Sequence, residues 1–153
     1  MKNFIEEIDN IIFELDKEIN DKIVGINYLE KLKFLLIDRI KSIDSKYNSN
    51  FEDDEINKKY GENNLNIKLK NYPSPVSIIK QVLLNDNLCI VISGSKIIEI
   101  YENQKSKNSN SLNLHKNMGL TLPKETIFSE KVSNNTKLIE INNINENSYV
   151  EKQ

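Results

Sequence analysis

Apolar residues recur at helical spacing through the first third of the chain and at alternating spacing through most of the rest. Ile5, Ile12, Ile19 and Ile26 share one heptad phase, Ile8, Leu15 and Leu29 another, and Phe4, Ile11 and Ile23 widen the stripe. Leu32, Leu36, Ile40, Ile43 and Tyr47 continue it. One apolar face opposite Glu, Asp and Lys predicts helix over 3–47. Gly25 falls in the middle, so two helices joined by a turn compete with one long helix. An unbroken helix would reach about 67 Å and need a partner chain, as in a coiled coil, whereas a hairpin lets both stripes bury each other. The spacing favours the hairpin. Either form leaves apolar surface that invites self-association, so a homo-oligomer joined through Ile5, Ile8, Ile12, Leu15 and Ile19 is expected. Fully burying each large aliphatic side chain contributes roughly 1.5–3 kcal/mol, so something must cover the stripe.

Periodicity disappears between Asn48 and Asn64, where Asn and Gly flank the acidic cluster Glu52-Asp53-Asp54-Glu55. The cluster lacks the spacing of a calcium loop, and a solvated linker, or the first turn of a short helix, is the expectation. Beyond it the chain reads as short strands punctuated by turns. Leu65, Ile67 and Leu69 alternate with polar neighbours, and Tyr72-Pro73-Ser74-Pro75 then breaks the run. Val76 to Leu84, Leu88 to Ile92, Lys96 to Glu102, Leu112 with Leu114, Gly119 to Leu122, Thr126 to Val132 and Thr136 to Ile141 follow. Ser93-Gly94-Ser95 predicts a β-hairpin between the second and third of these runs, with Gly94 at positive φ. Asn103 to Ser111 predicts a solvent loop. The expected division is a helical segment 1–48, a polar linker 49–64, a β domain 65–141 and a flexible tail 142–153. The fold class is α+β.

Composition narrows the function classes. The chain has 153 residues, 38% hydrophobic and 29% charged, with a net charge of −2. Its lysines are scattered among acids, without the basic face that nucleic acid needs. No apolar run approaches the ~18 residues of a membrane span, and the N-terminus meets acids at once, unlike an export signal. The single Cys89 has no partner for an internal disulfide. A cytoplasmic protein is expected, with Cys89 a buried, inert thiol in its apolar run.

The segment from Leu88 to Ile100, with its strand, Ser93-Gly94-Ser95 turn and strand, resembles the close of the first conserved motif of cupins. Gly119-Leu120-Thr121-Leu122-Pro123 and the run from Thr136 to Ile141 resemble the second motif and the strand after it. The resemblance covers Val76 to Ile141 and implies an antiparallel cupin-like β-barrel. Cupins commonly hold a divalent metal with histidines and a glutamate. The family spacing puts the glutamate slot at Asn87, two histidine slots near Gln81 and Leu83, and the last at Phe128. Leu83 and Phe128 cannot coordinate, and neither Lys80 nor Val82 rescues the set after a one-residue shift. A barrel without metal or other cofactor is expected.

Little remains for catalysis. His115 is the only histidine, and its strand phase points it away from the face of Leu112 and Leu114. Tyr101, Glu99 and His115 could line a pocket if their strands are neighbours. No phosphate loop, nucleophile elbow or dinucleotide fingerprint occurs. The sequence points to a non-catalytic module binding a small ligand or a protein partner, with Tyr101, His115, Gln81 and Phe128 as ligand-binding candidates. The alternative is a metal-independent isomerase or epimerase of a sugar-like substrate, with His115 as proton shuttle and Tyr101 as helper.

Overall fold

The computed structural model describes residues 4–19, 25–47, 52–60 and 63–144. Among these, two helices, α1 (Phe4–Asp16) and α2 (Ile26–Tyr47), precede the strands β1 (Asp54–Tyr60), β2 (Asn63–Tyr72), β3 (Val76–Val82), β4 (Asn87–Ser93), β5 (Lys96–Tyr101), β6 (Ser109–Leu114), β7 (Gly119–Leu122), β8 (Ile127–Val132) and β9 (Thr136–Ile144). α1 ends at Asp16, before the expected turn, and α2 begins directly after Gly25. The Gly25 carbonyl accepts the Leu29 N–H at 3.0 Å, starting α2, while α1 tightens at its end through Glu18 N–H to Leu15 O at 2.9 Å. Ile23 lies outside the described residues, as do the side chains of Ile43 and Tyr47.

The strands form a five-stranded sheet, β1-β2-β9-β4-β7, and a four-stranded sheet, β3-β8-β5-β6. Pairings β5–β6, β4–β7, β3–β8 and β2–β9 are all antiparallel and nest inside one another. The chain is thus a long hairpin rolled into two layers, which is the jelly-roll path. The sheets are not closed. Tyr72-Pro73-Ser74-Pro75 separates β2 from β3, and proline has no N–H with which to bridge the layers. The roll is thus an open, two-layer one, with four strand edges unpaired among the described residues.

Two further expectations change. Ser93-Gly94-Ser95 does not close a hairpin, because β4 already pairs on one side with β9 and on the other with β7. The turn instead carries the chain from one sheet to the other, and Gly94 takes φ +83° there, against the Thr136 backbone. Ser133 Oγ ties this corner to the β8–β9 turn, 3.0 Å from Ser95 Oγ and 2.8 Å from Thr136 Oγ1. Residues 54–60, expected as linker, form β1. Its register sets Ile56 beside Ile67, so one apolar residue and an open β2 edge were enough to recruit a charged segment. Asp53 accepts the Asn71 N–H at 2.6 Å, so that carboxylate secures the ladder's end. At the other boundaries, β6 begins at Ser109, inside the expected loop, and β9 runs to Ile144; the tail beyond lies outside the described residues.

Strand alternation divides the core in two. Leu65, Ile67, Leu69, Leu88, Ile90, Ile92, Ile139 and Ile141 face the helices and bury the stripe of α1 and α2. Cys89, Val91, Leu138, Ile98, Leu114, Leu122, Phe128 and Val132 are the buried residues of the opposite set; all but Val132 form the cluster between the sheets. α1 packs over β1 and β2, and α2 over β4 and β7. Ile5, Ile8, Ile12, Leu15 and Ile19 are all buried by the chain's own sheet. They are not available to join copies, which corrects the expected route to an oligomer.

Candidate functional site

A charged residue in a strand is expected to face solvent, yet Lys96 shares the inward phase of Ile98 and is 1% exposed. Its Nζ lies 2.8 Å from Glu130 Oε1 and 3.4 Å from Cys89 Sγ. Lys96 and Glu130 come from β5 and β8 of one sheet, and Cys89 from β4 of the other. Beside Cys89 in the register is Glu140 of β9, whose Oε2 is 3.3 Å from Lys70 Nζ on β2. Half-buried Tyr72 lies within the field of both lysines and both glutamates. The cluster runs from the buried Lys96 outward to the partly exposed Lys70. A hollow of about 400 Å³ lined by Asp53, Asp54, Glu55, Lys68, Leu69 and Lys70 adjoins that outer end.

Electrostatics fixes the protonation of these groups. Burial pushes the Cys89 thiol up to about 11, outweighing the Lys96 ammonium beside it. Burial alone would lower Lys96, but Cys89, Glu130 and Glu140 reverse the shift and raise it above an ordinary lysine. Lys70 is also raised, Glu140 overcoming its desolvation. At neutral pH the inner end therefore sets the Lys96 ammonium, 2.8 Å from Glu130, beside a protonated thiol. It offers charge and hydrogen bonds and no free nucleophile.

The sequence-predicted residues fall elsewhere. Tyr101 donates to Glu99 Oε2 at 3.0 Å and lies 2.9 Å from Ser129 Oγ, on the outer face of the four-stranded sheet. Lys80 Nζ sits 4.0 Å from its ring centroid. His115 is exposed just after β6. In the β5–β6 register Leu114 pairs with Lys96 and Ser109 with Tyr101, so His115 and Tyr101 stand at opposite ends, roughly 20 Å apart at 3.4 Å per residue. Gln81 and Phe128 are register partners, Gln81 exposed and Phe128 buried. Leu83 packs against the inter-sheet core. Asn87 Oδ1 is buried with no hydrogen-bond partner among the described residues. No three His, Cys, Asp or Glu side chains gather as a metal site among the described residues.

The nested strand order can now be set against known proteins. No protein-family model matches the chain, and none of the curated proteins matches it. Among solved structures, BH2720 from Bacillus halodurans matches at TM-score 0.52 and 15% identity, over 68% of this chain and 79% of that one. The fold is a cupin-like jelly roll. A cupin superfamily protein from Desulfitobacterium hafniense matches more loosely, at TM-score 0.45 and 15% identity over 61% of this chain and 79% of that one. The CENP-C cupin domain of Drosophila melanogaster does so at 0.43 and 7%, over 60% and 76%. In this cupin-like chain the inward charges come from Lys96, Glu130, Glu140 and Lys70, none of which lies at the metal slots that the resemblance implied. Sequence reasoning passed over them although a signal existed. Lys96 precedes Ile98 and Ile100 in core phase, and Glu130 stands between Phe128 and Val132 in the same phase.

Proposed function

We propose that the protein is a non-catalytic cupin-like module that binds a small polar ligand at the outer end of the inter-sheet cluster, against Lys70, Tyr72 and Glu140. The observation that carries this is the buried Lys96–Glu130 pair at 2.8 Å, which keeps the floor between the sheets charged where hydrocarbon would pack more cheaply. Perturbed titratable groups beside a hollow that Lys70 lines support this reading. A protonated thiol and a paired ammonium suit recognition better than covalent chemistry. The isomerase alternative needs His115 and Tyr101 on one substrate, and their separation along the β5–β6 pair offers it no support.

The test is a titration of isotope-labelled full chain with monosaccharides and small hydroxy acids, read by amide shifts. A specific ligand should move the amides of Lys70, Tyr72 and Glu140. Lys70→Ala should weaken it roughly tenfold or more, the loss of one charge-assisted hydrogen bond, about 1.5–3 kcal/mol. Ligands that bind while leaving those amides unmoved, or that ignore Lys70→Ala, would refute the site.

A further inference from the structure

A sheet edge exposes unpaired backbone groups, and proteins blunt such edges with charge, proline, bulges, shortness or a covering element. Three of the four edges here are protected in those ways. β1 carries Asp54, Glu55, Lys58 and Lys59. β7 has only 4 residues and lies beneath α2. β3 follows Pro75, and its register breaks between Ile78 and Gln81. Among the described residues β6 has none of these devices. Its residues Ser109-Asn110-Ser111-Leu112-Asn113-Leu114 are uncharged, contain no proline and pair with β5 without a register shift.

We propose that this edge pairs with β6 of a second copy, antiparallel about a two-fold axis, so that the two four-stranded sheets become one continuous sheet. Three features favour a second copy over another partner. A two-fold strand pair lays one strand against its own copy running the other way, so a strand of one charge sign would repel itself, and β6 carries no charge. The nearest cations, Lys107 and Lys116, lie outside the paired residues. Exposed apolar side chains flank the edge on both sheet faces. Leu112, 38% exposed, is on the inner face, and Ile97, 37% exposed, is on the outer face beside Asn113. Pairing would bring Leu112 of each copy against the other strand. Six residues give a seam of roughly 20 Å at 3.4 Å per residue. The break in β3 hinders the head-to-tail β3–β6 pairing that would run on into a filament, so the two-fold contact closes.

Sedimentation velocity on the full chain tests this. Wild type should be a dimer at concentrations of about 50 µM, a modest affinity for a narrow interface. The double variant Ser111→Lys/Asn113→Lys places like charges across the axis and leaves the β5–β6 backbone pairing in place. It should raise the dissociation constant at least about tenfold with unchanged circular dichroism and melting temperature. The matching variant on the β3 edge, Ser77→Lys/Ile79→Lys, should leave the dimer intact. Amide exchange at Ser109–Leu114 should slow as concentration rises. A wild type that stays monomeric at several hundred µM would overturn the proposal. So would a dimer indifferent to the β6 lysines, or one weakened equally by the β3 lysines.

Discussion

The buried Lys96–Glu130 pair makes a quantitative prediction. Lys96 is 1% exposed and the Glu130 side chain 10%, so neither charge has water to fall back on if its partner is removed. Lys96→Met should strand the Glu130 carboxylate and cost about 3–5 kcal/mol, the usual penalty for breaking a buried pair from one side. Against a total stability of about 5–15 kcal/mol that is a large share. At about 2–4 °C per kcal/mol for a chain of this size, melting should fall by roughly 6–20 °C. Glu130→Leu should cost a similar amount by stranding Lys96. The double variant Lys96→Met/Glu130→Leu removes both charges and fills the space with hydrocarbon, so it should return to within about 1 kcal/mol of wild type or exceed it. Urea unfolding of the four proteins closes the cycle. Additive single effects, or single variants costing under about 1 kcal/mol, would show that the charges are hydrated, and the site argument would fall with them. The sign against pH is fixed as well. Lys96 is raised above an ordinary lysine, so its contribution is complete below the unfolded value and is lost only at strongly alkaline pH, as the folded group titrates.

Three other outcomes are expected. The Cys89 thiol is raised to about 11 by burial, so folding favours its neutral form; stability from this group should be intact at neutral pH and decline as pH climbs from about 9 towards 11, by chemical denaturation in that range, a loss that Cys89→Ser should remove. Gly94→Ala should cost about 2 kcal/mol or more, since a Cβ at φ +83° is strained and would also meet the Thr136 backbone; a thermal melt within 2 °C of wild type would contradict the account of that corner. Tyr28 is 1% exposed and its hydroxyl has no hydrogen-bond partner among the described residues, so Tyr28→Phe should be neutral or stabilise by about 1 kcal/mol, measured by urea midpoint.

Much of the fold was legible because apolar periodicity records which face is buried. The heptad stripe gave α1 and α2, Gly25 marked the break between them, and the alternation of Leu65, Ile67 and Leu69 gave β2. The failures share a cause: periodicity says that a face is covered, and does not say by what. The surface left over by a helical hairpin looked as if it would join copies, when Leu88, Ile90, Ile92, Ile139 and Ile141 stood ready to cover it within the same chain. Likewise the runs before and after Gly94 looked like a hairpin, since turn chemistry is the same whether a chain folds back in its own sheet or crosses to another. β1 was hidden because its one inward apolar residue, Ile56, sits among charges that an edge strand tolerates.

The site was missed for a related reason, and the sequence itself contains the correction. The run Leu88-Cys89-Ile90-Val91-Ile92 is apolar at every position, which is what a strand covered on both faces requires. Even-numbered residues of that run belong to the helix core and odd-numbered ones to the inter-sheet core. A strand with two buried faces implies a layer on each side, and those layers are the helices and the second sheet. The second sheet must then present its own inward phase to Cys89 and Val91. Following that phase along β5 and β8 leads to Lys96 and Glu130, opposite charges in positions where hydrocarbon is the rule. A charge in core phase on one strand is a local oddity, but two of opposite sign on neighbouring strands satisfy each other, and only register brings them together. The buried charges of this chain are therefore encoded in departures from an otherwise regular apolar pattern, and a search for familiar ligand residues at fixed spacing passes over them.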